Sequence, residues 1–345
     1  MTSLVHLAHS LDPRGGGVSE AVVRLDNELN KQSIKSSMKS DRLGDFEKDS
    51  VLIAHGLWQW PGYQAWNNFK KWGTPYLIYP HGMLDPWFKK TYPFKHLKKQ
   101  CYWWWRQDKI IRDAFAVCFT TEEERLLARK TFSPYQCNEV VTGLGVGDPP
   151  GDSTQQTTLL HSRFPQLKNK RVLLYLGRFH SKKGVDLLIK SFEKHHGEDD
   201  ILVLAGPISS PDSHLKSLQK LSAQEENKVL WTGMLEGDLK WGALRVADAL
   251  ILPSHQENFG MVIAEALSVG TPVFLTKKVN LWREVIDSGA GIVANDDQEG
   301  IEQLVKKWKA NEHTLCIENT IPCFREKFHI SKTVENIISL IPERN

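Results

Sequence analysis

The stretch from Leu252 to Pro272, LPSHQENFGMVIAEALSVGTP, constrains the fold more than any other part of the chain. The apolar run Ala249 to Leu252 is short, lies between polar segments and stops at Pro253-Ser254, which predicts a buried strand. Asn258 and Gly260 suit a helix start, Met261 to Leu267 continue it, and Gly270 caps its end before Thr271-Pro272 opens the next strand. Strand, polar loop and helix make one α/β unit. In such a unit the loop lies at the carboxyl end of the sheet, where open α/β sheets bind their ligands. The unpaired amides of the first turn, Phe259 to Val262, attract anions there, and a diphosphate is a natural occupant.

Glu257 and Glu265 flank those amides. Eight residues of helical rise would separate them by about 12 Å, so they cannot grip the same group. Carboxylates accept hydrogen bonds from vicinal hydroxyls, and one on each of two sugar-like rings with phosphate between is the layout of a nucleotide sugar. A solvated helix face is the plainer alternative.

The chain has 345 residues, 41% hydrophobic and 25% charged, which is material for two ordinary domains with real cores. A net charge of +3, from 44 basic and 41 acidic residues, gives no reason to propose nucleic acid as a partner. The five cysteines, Cys101, Cys118, Cys137, Cys316 and Cys323, contain no C-x-x-C pair, so neither a disulfide framework nor a zinc site is indicated and a reducing cytoplasm fits. Met1-Thr2-Ser3 is expected to enter a strand directly, without a signal peptide, and no apolar run approaches the length of a membrane span.

From the start, Ser3 to His9 reads as a strand, Ser10 to Gly17 as a loop, and Val18, Ala21, Val22 and Leu25 as the apolar stripe of a helix. Gly15-Gly16-Gly17 lets backbone approach a ligand closely, although a flexible turn is the simpler reading and the spacing is not that of a dinucleotide fingerprint. Val51 to Ala54 and Pro75 to Tyr79 are strands ending in His55-Gly56 and His81-Gly82, where a histidine can bond sugar hydroxyls or phosphate. Between Trp87 and Arg106 the chain reads WFKKTYPFKHLKKQCYWWWR. Phe94, Leu97, Cys101 and Trp104 fall at helical spacing and leave Lys95, Lys98 and Lys99 on another face. Such a helix either packs its tryptophan face into the core or lies on an anionic membrane or lipid-linked acceptor. Phe115 to Thr120 is a further strand, and Thr121-x-x-Glu124 reads as a capping box.

Glu139 to Thr142 closes the first domain, and the Gly-, Pro- and Ser-rich run that follows reads as a linker. Arg171 to Leu176 opens the second domain and runs into GRFHSKKG, Gly177 to Gly184. Arg178 and Lys183 there pair a fixed fork with a mobile point charge, which suits a departing diphosphate. Two further strands end at Gly206-Pro207 and at Gly233-Met234-Leu235. Helices are expected at 281–288, 298–309 and 331–341.

The pattern E-N-F-G-x4-E-A-x3-G-T-P-V, from Glu257 to Val273, together with G-R-F-x3-K-G after a strand, resembles the signature of retaining glycosyltransferases of family 4. That resemblance implies the GT-B fold, an α/β architecture of two Rossmann-like domains facing across a cleft, with a last helix crossing back to the first domain. On that basis residues 1–150 are the acceptor-side domain, 151–168 the linker, 169–325 the nucleotide-sugar domain and 326–345 the returning helix. The implied chemistry is transfer of a hexose to a hydroxyl with retention of configuration. Arg178, Lys183 and the helix amides stand in for a metal, since no D-x-D motif occurs. Glu257 would orient the sugar, Glu265 the ribose, and His81 would bind the sugar.

Gly16, Gly17 and Gly206 match positions near the donor, as do Asn258, Phe259, Gly260 and Met261, while Met234 and Leu235 match those contacting the base. HGMLDPW, His81 to Trp87, is similar to the acceptor-side loop of polysaccharide-building members, such as cyanobacterial heterocyst-envelope enzymes, with UDP-glucose as donor and a polysaccharide or lipid-linked oligosaccharide as acceptor. No cofactor beyond the nucleotide sugar is implied, and the expected location is the cytoplasm or the inner face of its membrane. The alternatives are a nucleotide-sugar epimerase of the same fold and a nonenzymatic nucleotide-sugar sensor.

Overall fold

The computed structural model describes residues 3–12, 17–41, 46, 50–208, 213–223 and 227–341. The chain divides into two compact units, Met1–Gly147 with Phe328–Asn345, and Asp148–Lys327. Each is built on a six-stranded sheet in which every pairing is parallel.

In the first unit the strands are β1 (Ser3–Leu7), β2 (Ser36–Lys39), β3 (Ser50–His55), β4 (Tyr76–Tyr79), β5 (Ala116–Phe119) and β6 (Glu139–Val141), in the order β2-β1-β3-β4-β5-β6. Strand alternation sorts the core into two layers. Leu52, Tyr76, Ile78 and Val117 pack on one face with Trp103, and Val51, Ile53, Leu77 and Tyr79 on the other with Leu25, Val334 and Ile337. The last two belong to the helix Ile330–Leu340, so the end of the chain completes the core that its beginning opened.

A short bridge holds that return in place. Val146 N donates to Phe328 O at 3.0 Å and Ile330 N to Val146 O at 3.0 Å. Gly145 permits the approach, since a Cβ there would lie 2.6 Å from Ile330 Cα.

The second sheet comprises β7 (Arg171–Leu176), β8 (Asp200–Ala205), β9 (Val229–Gly233), β10 (Ala249–Leu252), β11 (Val273–Thr276) and β12 (Gly291–Ala294), in the order β12-β11-β10-β7-β8-β9. The order reverses between β7 and β10, so the crevice at the carboxyl ends of those two strands is the place where such a sheet takes a ligand. Their buried runs, VLLY and ALIL, are apolar throughout because helices cover both faces of a parallel sheet.

Three sequence expectations change. The stretch read as a linker carries the helix Ser153–Arg163, which packs on the helix Gly237–Val246 of the second unit. Gln156 locks it: the fully buried amide donates to Pro150 O (2.7 Å) and Asp238 Oδ1 (3.0 Å) and accepts from Arg245 Nε (2.9 Å). Strands β2 and β12 were not expected at all. Both lie at a sheet edge and are only partly buried, so neither shows a continuous apolar run.

The tryptophan-rich segment also departs from expectation. The helix Pro93–Tyr102 runs into a π turn, Trp103–Gln107, and on into Asp108–Arg112. The wider turn shifts the register, so that Trp103 enters the core, stacks on Phe132 at 4.8 Å and donates to Pro134 O, while the stripe read as its apolar face stays outside. Phe94 is 84% exposed, Leu97 60%, Trp104 59% and Trp105 62%.

Candidate functional site

The second unit builds a site at its switch point from two loops fastened side by side. After β7 the chain passes Gly177 to Lys183 and reaches Gly184, whose φ of +62° is left-handed and whose Cβ, if present, would lie 2.2 Å from Pro253 O. Only glycine permits that approach. His255 N donates to Lys182 O at 2.7 Å, Lys182 Nζ donates to Gln256 Oε1 at 3.0 Å, and the Lys183 ammonium forms an ion pair with the Glu257 carboxylate. Lys183 is buried and Glu257 partly so. Arg178 is exposed at the mouth of the same loop, and its guanidinium makes no ion pair among the described residues. Phe179 turns inward instead, its ring 4.9 Å from that of Trp231.

Glu257 is fixed from its other side by the loop after β11, which was not among the sequence-read site elements. Its amide donates to Lys278 O at 3.0 Å and its carbonyl accepts from Asn280 N at 3.0 Å, while Asn280 Nδ2 donates to Asn258 Oδ1 at 3.2 Å. Tyr175 lies beneath the site and donates to Arg178 O at 2.8 Å. Burial raises its phenol pKa above the ordinary value, and the Glu257 charge adds to that.

The helix begins only at Met261, after Gly260 at a φ of +68°, so the 257–265 span is not continuous helix and the rise between the two glutamates does not apply. The two carboxylates nevertheless go to separate cations. Buried Glu265 accepts from Lys240 Nζ at 2.8 Å, a lysine that no sequence motif singled out. The amides of Gly260, Met261 and Val262 find no acceptor among the described residues. Phe259 is buried.

Gly206 lies where β7 and β8 end together. It donates to Gly233 O at 3.0 Å, and a Cβ there would meet Gly177 O at 2.0 Å, so the glycine serves close strand packing under the site. Met234 is 63% exposed beyond β9, whereas Leu235 is 6% exposed and packs with Leu174, Val203 and Ala243 in the core. Of the two, only Met234 is accessible to a ligand.

In the first unit, Gly16 falls outside the described residues, and Gly17 is the first residue of the helix Gly17–Lys31, with nothing within 4 Å of where a Cβ would sit. His81 follows β4 with a φ of +50°, a conformation that side chains other than glycine rarely adopt. Glu124 holds that turn from below. Thr121 Oγ1 accepts from Glu124 N at 2.9 Å as a capping box requires, but the carboxylate departs from the pattern: it takes Thr120 N (2.8 Å) and Gly82 N (2.6 Å). His81 Nε2 bonds His55 Nδ1 at 2.9 Å, and His55 Nε2 bonds His6 Nδ1 at 2.9 Å. Burial lowers the pKa of His6 and of His81 to about 4, and holds His55 well below 6.5 with the two neighbouring histidines adding to the effect. All three imidazoles are therefore neutral near pH 7.

Among the described residues no group of three or more His, Cys, Asp or Glu side chains is placed to hold a metal ion, and no helix is long and apolar enough to cross a membrane.

Residues 158–320 match the family described as Glycosyl transferases group 1. A D-inositol 3-phosphate glycosyltransferase of Xylanimonas cellulosilytica is 32% identical over 148 residues, which is 42% of this chain and 35% of that protein. Across the first three curated relatives the matched share of their length runs from 35% to 46%. Among solved structures, sucrose-phosphate synthase from Thermosynechococcus elongatus superposes with a TM-score of 0.76 at 16% identity, covering 99% of this chain and 98% of that one. Anabaena HepE in complex with UDP and glucose gives 0.75 at 14%, covering 98% and 99%. The architecture is therefore GT-B, and within it residues 158–320 are similar to the glycosyl transferases group 1 family.

Proposed function

We propose that the protein is a retaining hexosyltransferase of family 4 that moves glucose from UDP-glucose to a hydroxyl of a polysaccharide or lipid-linked oligosaccharide in the cytoplasm. The observation that carries this reading is the pairing of Lys183 with Glu257 across two loops fastened at the switch point, with exposed Arg178 beside them. Two cations and the free amides of Met261 and Val262 can receive a diphosphate; Glu257, released from Lys183 as the diphosphate arrives, can turn to a sugar hydroxyl. Glu265, oriented by Lys240, is suited to the ribose hydroxyls.

In the step itself, the bond between the anomeric carbon and the diphosphate oxygen breaks and the acceptor oxygen bonds that carbon on the same face. The leaving phosphate oxygen takes the acceptor's proton. Arg178 and Lys183 stabilise the charge that develops on the diphosphate without a metal. The UDP and UDP-glucose complexes of HepE, at 14–15% identity, support the choice of donor.

The exposed Phe94, Leu97, Trp104 and Trp105, next to Lys95 and Lys98, support a peripheral contact with an anionic membrane that would carry the acceptor. HGMLDPW and the tryptophan-rich helix together are what suggest a role in building a heterocyst-envelope polysaccharide.

Incubation with UDP-glucose, with and without oligosaccharide acceptors, tests the reading by NMR. A new glycoside of the donor's anomeric configuration is expected. Free epimerised donor would indicate an epimerase, and binding without turnover a sensor; either overturns the proposal.

A further inference from the structure

His6, His55 and His81 come from three different strands or strand ends of the first unit and form an unbroken chain of imidazoles, each linkage 2.9 Å long. Adjacent rings are inclined by only 23° and 24° with centroids 5.2 Å apart, the separation of rings that meet edge to edge through a 2.9 Å N–H···N bond, and Tyr79 stacks on both His55 and His81. Such a chain has few ways to place its protons. Each linkage needs one hydrogen, and each neutral ring carries one. If His6 holds its proton on Nδ1, His55 must hold its own on Nδ1, and so must His81. If His6 holds it on Nε2, the other two follow. No mixed arrangement of neutral rings satisfies both bonds.

The end at His6 is sealed: Nε2 is buried and has no hydrogen-bond partner among the described residues, so a proton there would be an unsatisfied buried donor, and the arrangement with every proton on Nδ1 is the one selected. The other end is not, for His81 is partly exposed and its Nδ1 is left over after Nε2 has bonded His55. A cationic form, with His55 donating from both nitrogens, is opposed by the burial that lowers its pKa.

We propose that His6 and His55 are positioning residues that lock His81 in one neutral tautomer, shared by all three rings, so that Nδ1 of His81 has a fixed hydrogen-bonding role. Its consequence for catalysis rests on the transferase reading and on the sugar-binding role that the family resemblance implies for His81; the tautomer lock does not. A ring that could rotate its role would bind a sugar oxygen as donor in some molecules and as acceptor in others, which blurs the orientation of the transferred hexose.

The test is long-range proton–nitrogen correlation NMR on the full chain labelled with 15N-histidine, the three rings being assigned with His6→Phe, His55→Phe and His81→Phe. At pH 7 all three rings are expected neutral, each in a single tautomer, and the same one. In His55→Phe, which keeps an aromatic ring in the stack, His81 is expected to become a mixture of tautomers. A discordant ring or an imidazolium in the wild type, or an unchanged His81 pattern in His55→Phe, overturns the lock, and the wild-type spectrum decides the matter even if the variants fail to fold. Failure of UDP-glucose to bind would sink the transferase reading and leave these spectra as they are.

Discussion

Lys183 is buried, and its ammonium already has a carboxylate partner in Glu257. A donor diphosphate that takes the lysine leaves the glutamate free for the sugar, so the side chain acts on both parts of the ligand. Lys183→Ala removes one cation and leaves Glu257 facing the diphosphate as a like charge. UDP affinity and turnover are expected to fall at least about tenfold, or about 1.4 kcal/mol, measured by calorimetry and initial rates; unchanged constants would remove Lys183 from the site. His6 gives a second expectation. Its folded pKa of about 4 lies below the ordinary 6.5, so between those values the unfolded chain binds a proton that the folded chain does not. Stability is then full above about pH 6.5 and is lost as pH falls toward 4, by about 3 kcal/mol for this residue alone. The urea midpoint should drop between pH 7 and pH 4.5, and less steeply in His6→Phe; equal slopes would show that His6 is not the group responsible. Sequence reading found His81 and His55 because each ends a strand before a glycine. It passed over His6, which sits inside an apolar strand and gains its role only from a neighbour 49 positions away.

At the scale of elements, the helix after Pro93 shows how a local irregularity redirects a surface. Heptad-like spacing placed Phe94, Leu97, Cys101 and Trp104 on one face, and the π turn at Trp103–Gln107 then buries Trp103 and leaves that face in solvent. If the face meets a membrane, Phe94→Ser with Trp104→Ser should lower retention on vesicles containing phosphatidylserine several-fold while the melting temperature changes little. Retention equal to that of the wild type would exclude this face as the contact. The donor-side elements were far more legible. The strand Ala249–Leu252, the loop and the helix Met261–Ser268 all follow from local patterns: a short apolar run, a glycine at a left-handed position and helical continuity after it. Lys240 was not legible, because it lies on an ordinary amphipathic helix and only packing against the helix Met261–Ser268 brings it to Glu265.

The whole molecule joins two separately cored units through a chain that leaves the first, builds the second and returns. Deleting residues 328–345 removes Val334 and Ile337 from the first core and the backbone bonds of Phe328 and Ile330 to Val146. Scanning calorimetry of the full chain should show two transitions, one of them raised by UDP; a ligand at a hundredfold its dissociation constant stabilises its unit by about 2.7 kcal/mol. The truncated chain should lose the other transition and keep the UDP-sensitive one. Loss of both would mean that the units do not fold independently.

Sequence by itself determined what depends on neighbours along the chain: the α/β class, most strands, the helix starts and stops, and the charged residues of the loops at the strand ends, because apolar periodicity and turn chemistry are local. Only the tertiary structure decided which of those loops touch. Gly184 against Pro253, Lys183 against Glu257, Glu265 against Lys240 and His6 against His55 join residues 25 to 74 positions apart, and nothing local sets such a distance. Strand order does: by placing β7 beside β10 and β1 beside β3, the two sheets bring distant side chains to the same edge.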